Sequence, residues 1–193
     1  MTQPQLWVFA GPNGAGKSTL VDRYVRGRIP VVNPDNIARS LPDSLDEASR
    51  SLRAGRLALR ERSAYLTAQQ DFAIETTLTG RSELELMRSA AKEGFKINLV
   101  YIGLRDVQHS IARVRERVGR GGHDVPLADL LRRFDRSLRH LPKAMALATR
   151  VILIDNSGRR PQFILSREHG RVKFAAQTPP AWVADALAKS SAE

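Results

Sequence analysis

The residues best suited to chemistry form one run near the start of the chain, Gly11-Pro12-Asn13-Gly14-Ala15-Gly16-Lys17-Ser18-Thr19. The run matches the phosphate-binding pattern G-x-x-x-x-G-K-[ST] at each constrained position. Glycines let successive backbone N–H groups turn toward a phosphate, and the helix that follows adds its positive N-terminal end. We expect Lys17 to reach the β- and γ-phosphates of a nucleotide and Ser18 to ligate Mg²⁺.

The segments on either side of this loop supply the context that the pattern needs. Residues 6–10 are apolar and predict a buried strand, and residues 18–25 have helical spacing. A strand, a glycine loop and a helix in this order favour a phosphate site over a glycine-rich turn that matches by chance.

Apolar strands and helical segments alternate along the rest of the chain. Strands are predicted at 29–33, 72–76, 97–104 and 151–155, and helices at 44–68, at 82–93, from 106, and from 126 to 148. Segments 162–166 and 171–175 predict a hairpin, and 181–189 a terminal helix. This order predicts an α/β fold, a P-loop NTPase-like three-layer arrangement with a mainly parallel central sheet and a C-terminal β-hairpin.

Three local features carry their own expectations. Leu45, Leu52, Leu59 and Leu66 repeat along the long helix and predict its packing seam. Pro142 is expected to kink or break the helix that begins at residue 126. Residues 33–36, Asn-Pro-Asp-Asn, predict a turn.

Polar side chains follow the strands, and in a parallel sheet such ends share one edge where ligands bind. Asp35 can accept a hydroxyl proton from a phosphoryl acceptor, or else cap the next helix. Glu75 can bind acceptor hydroxyls or orient Mg²⁺ and its waters, or else cap a neighbouring loop. Thr76 and Thr77 follow it as hydroxyl donors to the substrate.

An arginine stripe is predicted on the helix that begins near residue 106. Arg113, Arg117 and Arg120 are spaced i, i+4 and i+7, which places them on one face for binding ATP phosphates. Glycines at 119, 121 and 122 predict a mobile lid at about 113–126. The alternative is a solvated face paired to Glu116 and Asp124.

Two further residues are candidates with ordinary alternatives. His123 can contact substrate or phosphate, or make a structural hydrogen bond. Asn156 lies in the turn at 155–158, which suits the adenine or ribose of ATP but is also common turn chemistry.

Composition narrows the class of protein. The chain has 193 residues, no cysteine and a formal net charge of +11. The length predicts a single domain over 1–193, and the lack of cysteine removes disulfides and thiolate chemistry.

No apolar run is long enough to span a bilayer and no secretory signal is evident, so we expect a cytoplasmic protein. Aromatics are 6% and no nucleic-acid motif is found, so nucleic acid is an unfavoured partner despite the charge.

Taken together, the order of these motifs along the chain resembles that of the zeta toxin family of P-loop kinases, in its short predicted-kinase branch. The matching stretches are residues 11–19, 32–35, 74–77, 113–117 with 121–126, and 155–157. The resemblance implies ATP and Mg²⁺ as cosubstrates, Lys17 as the catalytic lysine and Asp35 as the general base. It also implies acceptor binding by Glu75 and phosphate sensing by Arg113 and Arg117.

The resemblance further implies a kinase that phosphorylates a hydroxyl of a sugar nucleotide, UDP-N-acetylglucosamine, with a small antitoxin as a possible partner. Two other classes stay open. One is a nucleic-acid-associated P-loop ATPase, and the other is a catalytically silent toxin-like partner of an antitoxin.

Overall fold

The computed structural model describes residues 3–42, 44–122 and 124–190 of the protein. Its strands are β1 (Gln5–Ala10), β2 (Val31–Val32), β3 (Phe72–Thr76), β4 (Lys96–Gly103), β5 (Arg150–Asp155), β6 (Gln162–Glu168) and β7 (Arg171–Ala175). Its helices are α1 (Lys17–Tyr24), α2 (Pro34–Ser40), α3 (Glu47–Thr67), α4 (Ser82–Lys92), α5 (Val107–Gly119), α6 (Leu127–Leu147) and α7 (Ala181–Ser190).

The strands form one sheet in the order β2-β3-β1-β4-β5-β6-β7. The pairings from β2 to β5 are parallel, and β6 and β7 add antiparallel strands at one edge. β3 and β4 pair with the two edges of β1. The connection after β1 leads to β2 on one side of β1, and the connection after β3 crosses to β4 on the other side. Such a change of side opens a crevice at the carboxyl ends of the strands. The predicted α/β class and C-terminal hairpin are confirmed.

Helices cover both faces of the sheet, as the strand pattern requires. In β1, Leu6 and Val8 point into a large core that also contains buried residues of α4, α6 and α7, while Phe9 points to the opposite core with Val21 of α1. Alternate residues of a strand face opposite sides, and burial on both sides explains why these strands are continuously apolar.

The predicted leucine seam is wrong for the first part of α3. Leu52 and Leu59 are exposed, at 59% and 56%, and the buried residues of this helix are Ala54, Ala58 and Arg62. Small side chains four residues apart let α3 pack closely against α2, while Leu52 and Leu59 lie on the outer surface. Leu66, at the end of the helix, is partly buried against the main core, so the leucine spacing marked the wrong face only in the first part of the helix.

Two other local predictions need correction. The turn at 33–36 is the start of α2, with Pro34 at its first position and the Asn33 side chain accepting a hydrogen bond from the Asp35 N–H. Asn33, rather than Asp35, is therefore the cap. Pro142 does not break α6, which runs from Leu127 to Leu147, and the other expectation, a kink at this residue, stays a prediction.

The helices α5 and α6 form a hairpin with a small core of its own. Ile111 and Val114 of α5 pack with Val125 and Leu130. At the end of α5, the N–H groups of Gly121 and Gly122 donate to the carbonyls of Val118 and Arg117, a pattern that closes a helix. The predicted glycine cluster thus caps α5, and its action as a mobile lid stays a prediction.

The C-terminal helix is joined to the sheet next to the crevice. Trp182 of α7 donates from Nε1 to Oδ2 of Asp155 at 2.9 Å, and its ring lies against Gly103 at the end of β4. A Cβ added at Gly103 would lie 2.3 Å from a Trp182 ring carbon. None of the helices in the described residues combines the length and apolar character that a bilayer crossing requires.

We predict that Gly103→Ala lowers the free energy of unfolding by about 1–3 kcal/mol, because the added methyl group must displace a buried indole. The measurement is urea denaturation followed by circular dichroism. The matched control is Gly55→Ala inside α3, where an added Cβ meets nothing within 4 Å. This substitution should raise the free energy of unfolding by roughly 0.5–1 kcal/mol, because alanine favours a helix over glycine. Equal urea midpoints for Gly103→Ala and the wild type would contradict the packing described.

Candidate functional site

A cavity of about 450 Å³ lies at the carboxyl ends of β1, β2 and β3. Its lining brings together the glycine loop, the start of α2, the end of β3 and one face of α5. The predicted site residues in this lining are Asn13, Gly14, Gly16, Lys17, Ser18, Thr19, Asp35, Glu75, Thr76, Thr77, Arg113 and Arg117. Gly11, Pro12 and Ala15 complete the loop without being part of the lining.

The carbonyl groups of the loop are held by side-chain donors from outside it. These bonds are Ser110 Oγ to Asn13 O at 2.7 Å, Arg113 Nη1 to Gly14 O at 3.4 Å, and Asn156 Nδ2 to Ala15 O at 2.8 Å. In a trans peptide, the carbonyl and the next N–H point in opposite directions. Because the carbonyls of Asn13 and Ala15 are bonded to outside donors, the N–H groups of Gly14 and Gly16 point the other way. Oriented N–H groups of this kind bind anions.

Two glycines permit the path of this loop. Gly16, the residue before α1, has a φ of 92°, and Gly11 has a φ of 144°. A Cβ at Gly11 would lie 2.1 Å from the carbonyl oxygen of Ile102 in β4. Glycine is needed at both positions, because an L side chain rarely adopts these angles and no room exists at Gly11.

Lys17 is buried beneath the loop. Its Nζ donates to the carbonyls of Gly11 at 2.8 Å and Pro12 at 3.0 Å. Burial lowers the pKa of Lys17 to about 8, although the charges of Glu75 and Asp35 favour the ammonium form. A phosphate in the cavity would add a further negative charge and restore the ordinary protonation of this lysine.

Ser18, Asn33 and Glu75 form a hydrogen-bonded cluster. Ser18 Oγ donates to Glu75 Oε1 at 2.6 Å, and Asn33 Nδ2 donates to Glu75 Oε2 at 2.8 Å. A hydroxyl oxygen next to a carboxylate, at the first turn after a phosphate loop, fits the oxygen ligands of Mg²⁺. Ser18 is suited to hold the ion, and Glu75 to hold Ser18 and ion-bound water.

The remaining predicted acceptor residues lie beside this cluster. Asp35 is exposed in the cavity at the first turn of α2, where its negative charge raises the pKa of Lys17. Thr76 Oγ1 accepts a hydrogen bond from the Leu78 N–H, and the hydroxyl of Thr77 lies 3.1 Å from that of Thr79. Thr76 is therefore occupied in shaping the turn after β3.

The predicted arginine stripe divides into two parts. Arg113 and Arg117 line the cavity, and Arg113 also donates to the Gly158 carbonyl at 3.4 Å. Arg120 is outside the cavity lining, because its Nη2 pairs with Glu116 Oε1 at 2.7 Å on the exposed side of the helix. Arg120 directly follows Gly119, the last residue of α5, so it does not continue the helical face on which Arg113 and Arg117 lie.

Two other predicted contacts are not in the cavity lining. Asn156 holds the back of the loop through Ala15 O, so it shapes the phosphate site without facing the cavity. His123 lies outside the described residues.

Residues 6–140 match the family model described as an AAA domain, AAA_33. The matched region runs from β1 into α6 and contains the whole cavity lining. The chain belongs to this family. An uncharacterized protein of Haemophilus influenzae is 32% identical to this AAA-domain protein over 132 residues, which are 65% of this chain and 94% of the relative.

Solved structures show the same P-loop kinase-like fold. A chain of the AvrRxo1-ORF1:-ORF2 complex with ATP has a TM-score of 0.73 at 16% identity, covering 89% of this chain. This chain spans 60% of the length of that one. A chain of the Streptococcus pneumoniae PezAT toxin-antitoxin system has a TM-score of 0.63 at 14% identity, covering 100% of this chain and 85% of its own length. The P-loop kinase fold is thereby confirmed, while membership of the zeta toxin branch stays a prediction.

Five residues that line the cavity were not predicted as site residues. Two, Asn33 and Pro34, lie at the start of α2, and the other three are Arg62 of α3, Glu83 of α4 and Arg133 of α6. Arg62 continues the i, i+4, i+8 series of Ala54 and Ala58, so an arginine on a small-residue face was a usable signal. For Arg133 the sequence offered none, because its place depends on how α6 packs beside the sheet.

We predict that nucleotide binding takes up protons above neutral pH. Since burial lowers the Lys17 pKa to about 8 and bound phosphates favour the ammonium form, binding at pH 8.5 should take up roughly three quarters of a proton, and much less at pH 7. Titration calorimetry with Mg²⁺·AMP-PNP in buffers of different ionisation enthalpy measures this uptake. Lys17→Arg, which stays charged throughout, should show none. Equal uptake at both pH values in the wild type would refute the assignment.

Proposed function

We propose that this protein is an ATP- and Mg²⁺-dependent kinase that transfers a phosphoryl group to a hydroxyl on a small acceptor. One observation carries the proposal: the phosphate loop and the carboxylates of Asp35 and Glu75 line the same cavity. Glu75 is hydrogen-bonded to Ser18 and Asn33, whereas Asp35 is exposed in the cavity, where a carboxylate can take the proton of an acceptor hydroxyl.

The donor half of the site follows from the loop. The N–H groups of Gly14 and Gly16 suit the β-phosphate, and Lys17 can leave its two carbonyl partners to reach the β- and γ-phosphates. Arg113 and Arg117 approach from α5 and stabilise charge on the transferring group. Magnesium held by Ser18 would neutralise phosphate charge, with Glu75 fixing the serine hydroxyl.

The acceptor half centres on Asp35. The acceptor hydroxyl loses its proton to the Asp35 carboxylate as its oxygen bonds to the γ-phosphorus. The bond from that phosphorus to the β–γ bridging oxygen breaks, and ADP leaves with the electron pair. Glu75 is already bonded to Ser18 and Asn33, so its arrangement supports the role at the metal better than direct acceptor binding.

For the acceptor, the zeta-toxin resemblance supports UDP-N-acetylglucosamine, and we propose it as the first sugar nucleotide to test. The likeness to a chain of a toxin-antitoxin system similarly supports a search for an antitoxin partner. The main alternative is a nucleic-acid-associated ATPase, which the net charge of +11 favours. That alternative requires ATP hydrolysis that polynucleotides stimulate and salt suppresses steeply.

We predict that Asp35→Asn keeps nucleotide binding and lowers acceptor phosphorylation by roughly 10²–10⁴-fold, the usual contribution of a general base. Phosphorus NMR of the phosphomonoester product measures turnover, and calorimetry with AMP-PNP measures binding. Asp22→Asn, on the exposed side of α1 in an ion pair with Arg26, is the matched control and should behave as the wild type. Undiminished turnover by Asp35→Asn would remove Asp35 as the base.

A further inference from the structure

The wall of the cavity contributed by the large helices is chemically different from the loop side. Arg62, Glu83 and Arg133 come from α3, α4 and α6, none of which carries the phosphate loop. These three residues, called the helical wall below, have no role in the phosphate contacts described above. They lie in the same cavity as Asp35, where an acceptor must enter.

Arg62 is buried with unused hydrogen-bonding capacity. Only 6% of the residue is exposed, and its Nε lacks a hydrogen-bond partner among the residues that the structure describes. Glu83 Oε2 is likewise buried and without a partner there. Leaving a buried charged donor or acceptor unpaired is costly, so such groups in a cavity are usually completed by a ligand or by ordered water.

The charges of Arg62 and Glu83 interact, but neither side chain provides a hydrogen-bond partner for the unpartnered atom of the other. The Glu83 charge raises the pKa of the Arg62 guanidinium, but burial lowers it by more. Both residues line the cavity, so a ligand there meets a guanidinium and a carboxylate that are not fully hydrogen-bonded among the described residues. Arg133 adds a second guanidinium, whose Nη2 contact with Asp129 is 3.5 Å long and leaves its other donors for the cavity.

We propose that the helical wall binds the phosphoryl acceptor, with Arg62 and Arg133 holding an anionic group and Glu83 accepting a hydrogen bond from a second hydroxyl. The acceptor class is then a small polyhydroxylated molecule that carries a carboxylate, a phosphate ester or a diphosphate. This inference rests on the proposed kinase function, since it names the acceptor of that same site.

Charge in the cavity agrees with an anionic acceptor. Five basic side chains and three carboxylates line it. Lys17, Arg113 and Arg117 are beside the loop and suit the ATP phosphates, while the other two basic side chains, Arg62 and Arg133, belong to the helical wall. A planar guanidinium presents paired donors that match the oxygens of a carboxylate or phosphate.

The first test measures anion binding without catalysis. With the loop saturated by Mg²⁺·AMP-PNP, sulfate should raise the thermal midpoint of the wild type by roughly 3–6 °C at about ten times its dissociation constant, relative to NaCl of equal ionic strength. Arg62→Gln should lose this rise while keeping its AMP-PNP affinity. Arg60→Gln, an exposed neighbour on α3, should keep it. No rise in the wild type, or an equal rise in Arg62→Gln, would overturn the proposal.

The second test identifies the anionic group through turnover. Gluconate, glucose 6-phosphate and UDP-N-acetylglucosamine are each compared with their neutral counterparts, glucose for the first two and N-acetylglucosamine for the third. We expect kcat/KM at least tenfold higher for an anionic member, and Arg62→Gln to raise its KM by about 10–100-fold with kcat and the KM for ATP within twofold. Arg62→Lys, which keeps the charge, should recover part of the loss.

The outcomes separate the two proposals. Neutral acceptors phosphorylated as well as anionic ones would overturn the helical-wall assignment and leave the kinase intact. Sulfate binding at Arg62 without phosphorylation of any acceptor would count against the kinase function and leave the anion site intact.

Discussion

The outward anchoring of the loop carbonyls is the interaction on which the rest of the site depends. Ser110 and Asn156, which are outside the cavity lining, hold the carbonyls of Asn13 and Ala15, and Arg113, which lines the cavity, contacts the carbonyl of Gly14 between them. A glycine-rich loop has high conformational entropy, and these bonds select the one path in which N–H groups face the cavity. Without them, the match to a sequence pattern would not produce an anion site.

The sheet order explains how these donors reach the loop. Because β4 lies beside β1 and β5 beside β4, the segments that follow them, α5 and the turn at Asn156, arrive next to the loop that follows β1. Asn156 is itself fixed by its N–H to the Gly103 carbonyl at 3.0 Å. Asp155, the residue before it, accepts from Trp182. A chain of contacts from α7 through β5 thus reaches the phosphate loop.

The sequence was most informative where chemistry constrains residue type and spacing together. The phosphate loop with its flanking strand and helix, and the carboxylates Asp35 and Glu75, were predicted from local patterns, and the loop and both carboxylates line one cavity. Predictions failed where a helix offered two faces with regular spacing and tertiary packing determined which face was buried. The leucine repeat of α3 was regular, yet Ala54 and Ala58 pack because close approach to α2 favours small side chains. Arg120 shared a spacing with Arg113, but the helix ends there and Glu116 binds it. The helical wall depends on three helices meeting, and a local pattern indicated only Arg62, which lies on the small-residue face of α3.

The most direct measurement is amide NMR of the ¹⁵N-labelled protein during titration with Mg²⁺·ATP. If the anchored loop presents its N–H groups to the nucleotide, the Gly14 and Gly16 amide resonances should move downfield in wild type. In Asn156→Ala, which removes the bond that anchors Ala15 O, the Gly16 shift should shrink. Saturable ATP binding that leaves both glycine amides unmoved, with shifts confined to other surfaces, would contradict the account of this site.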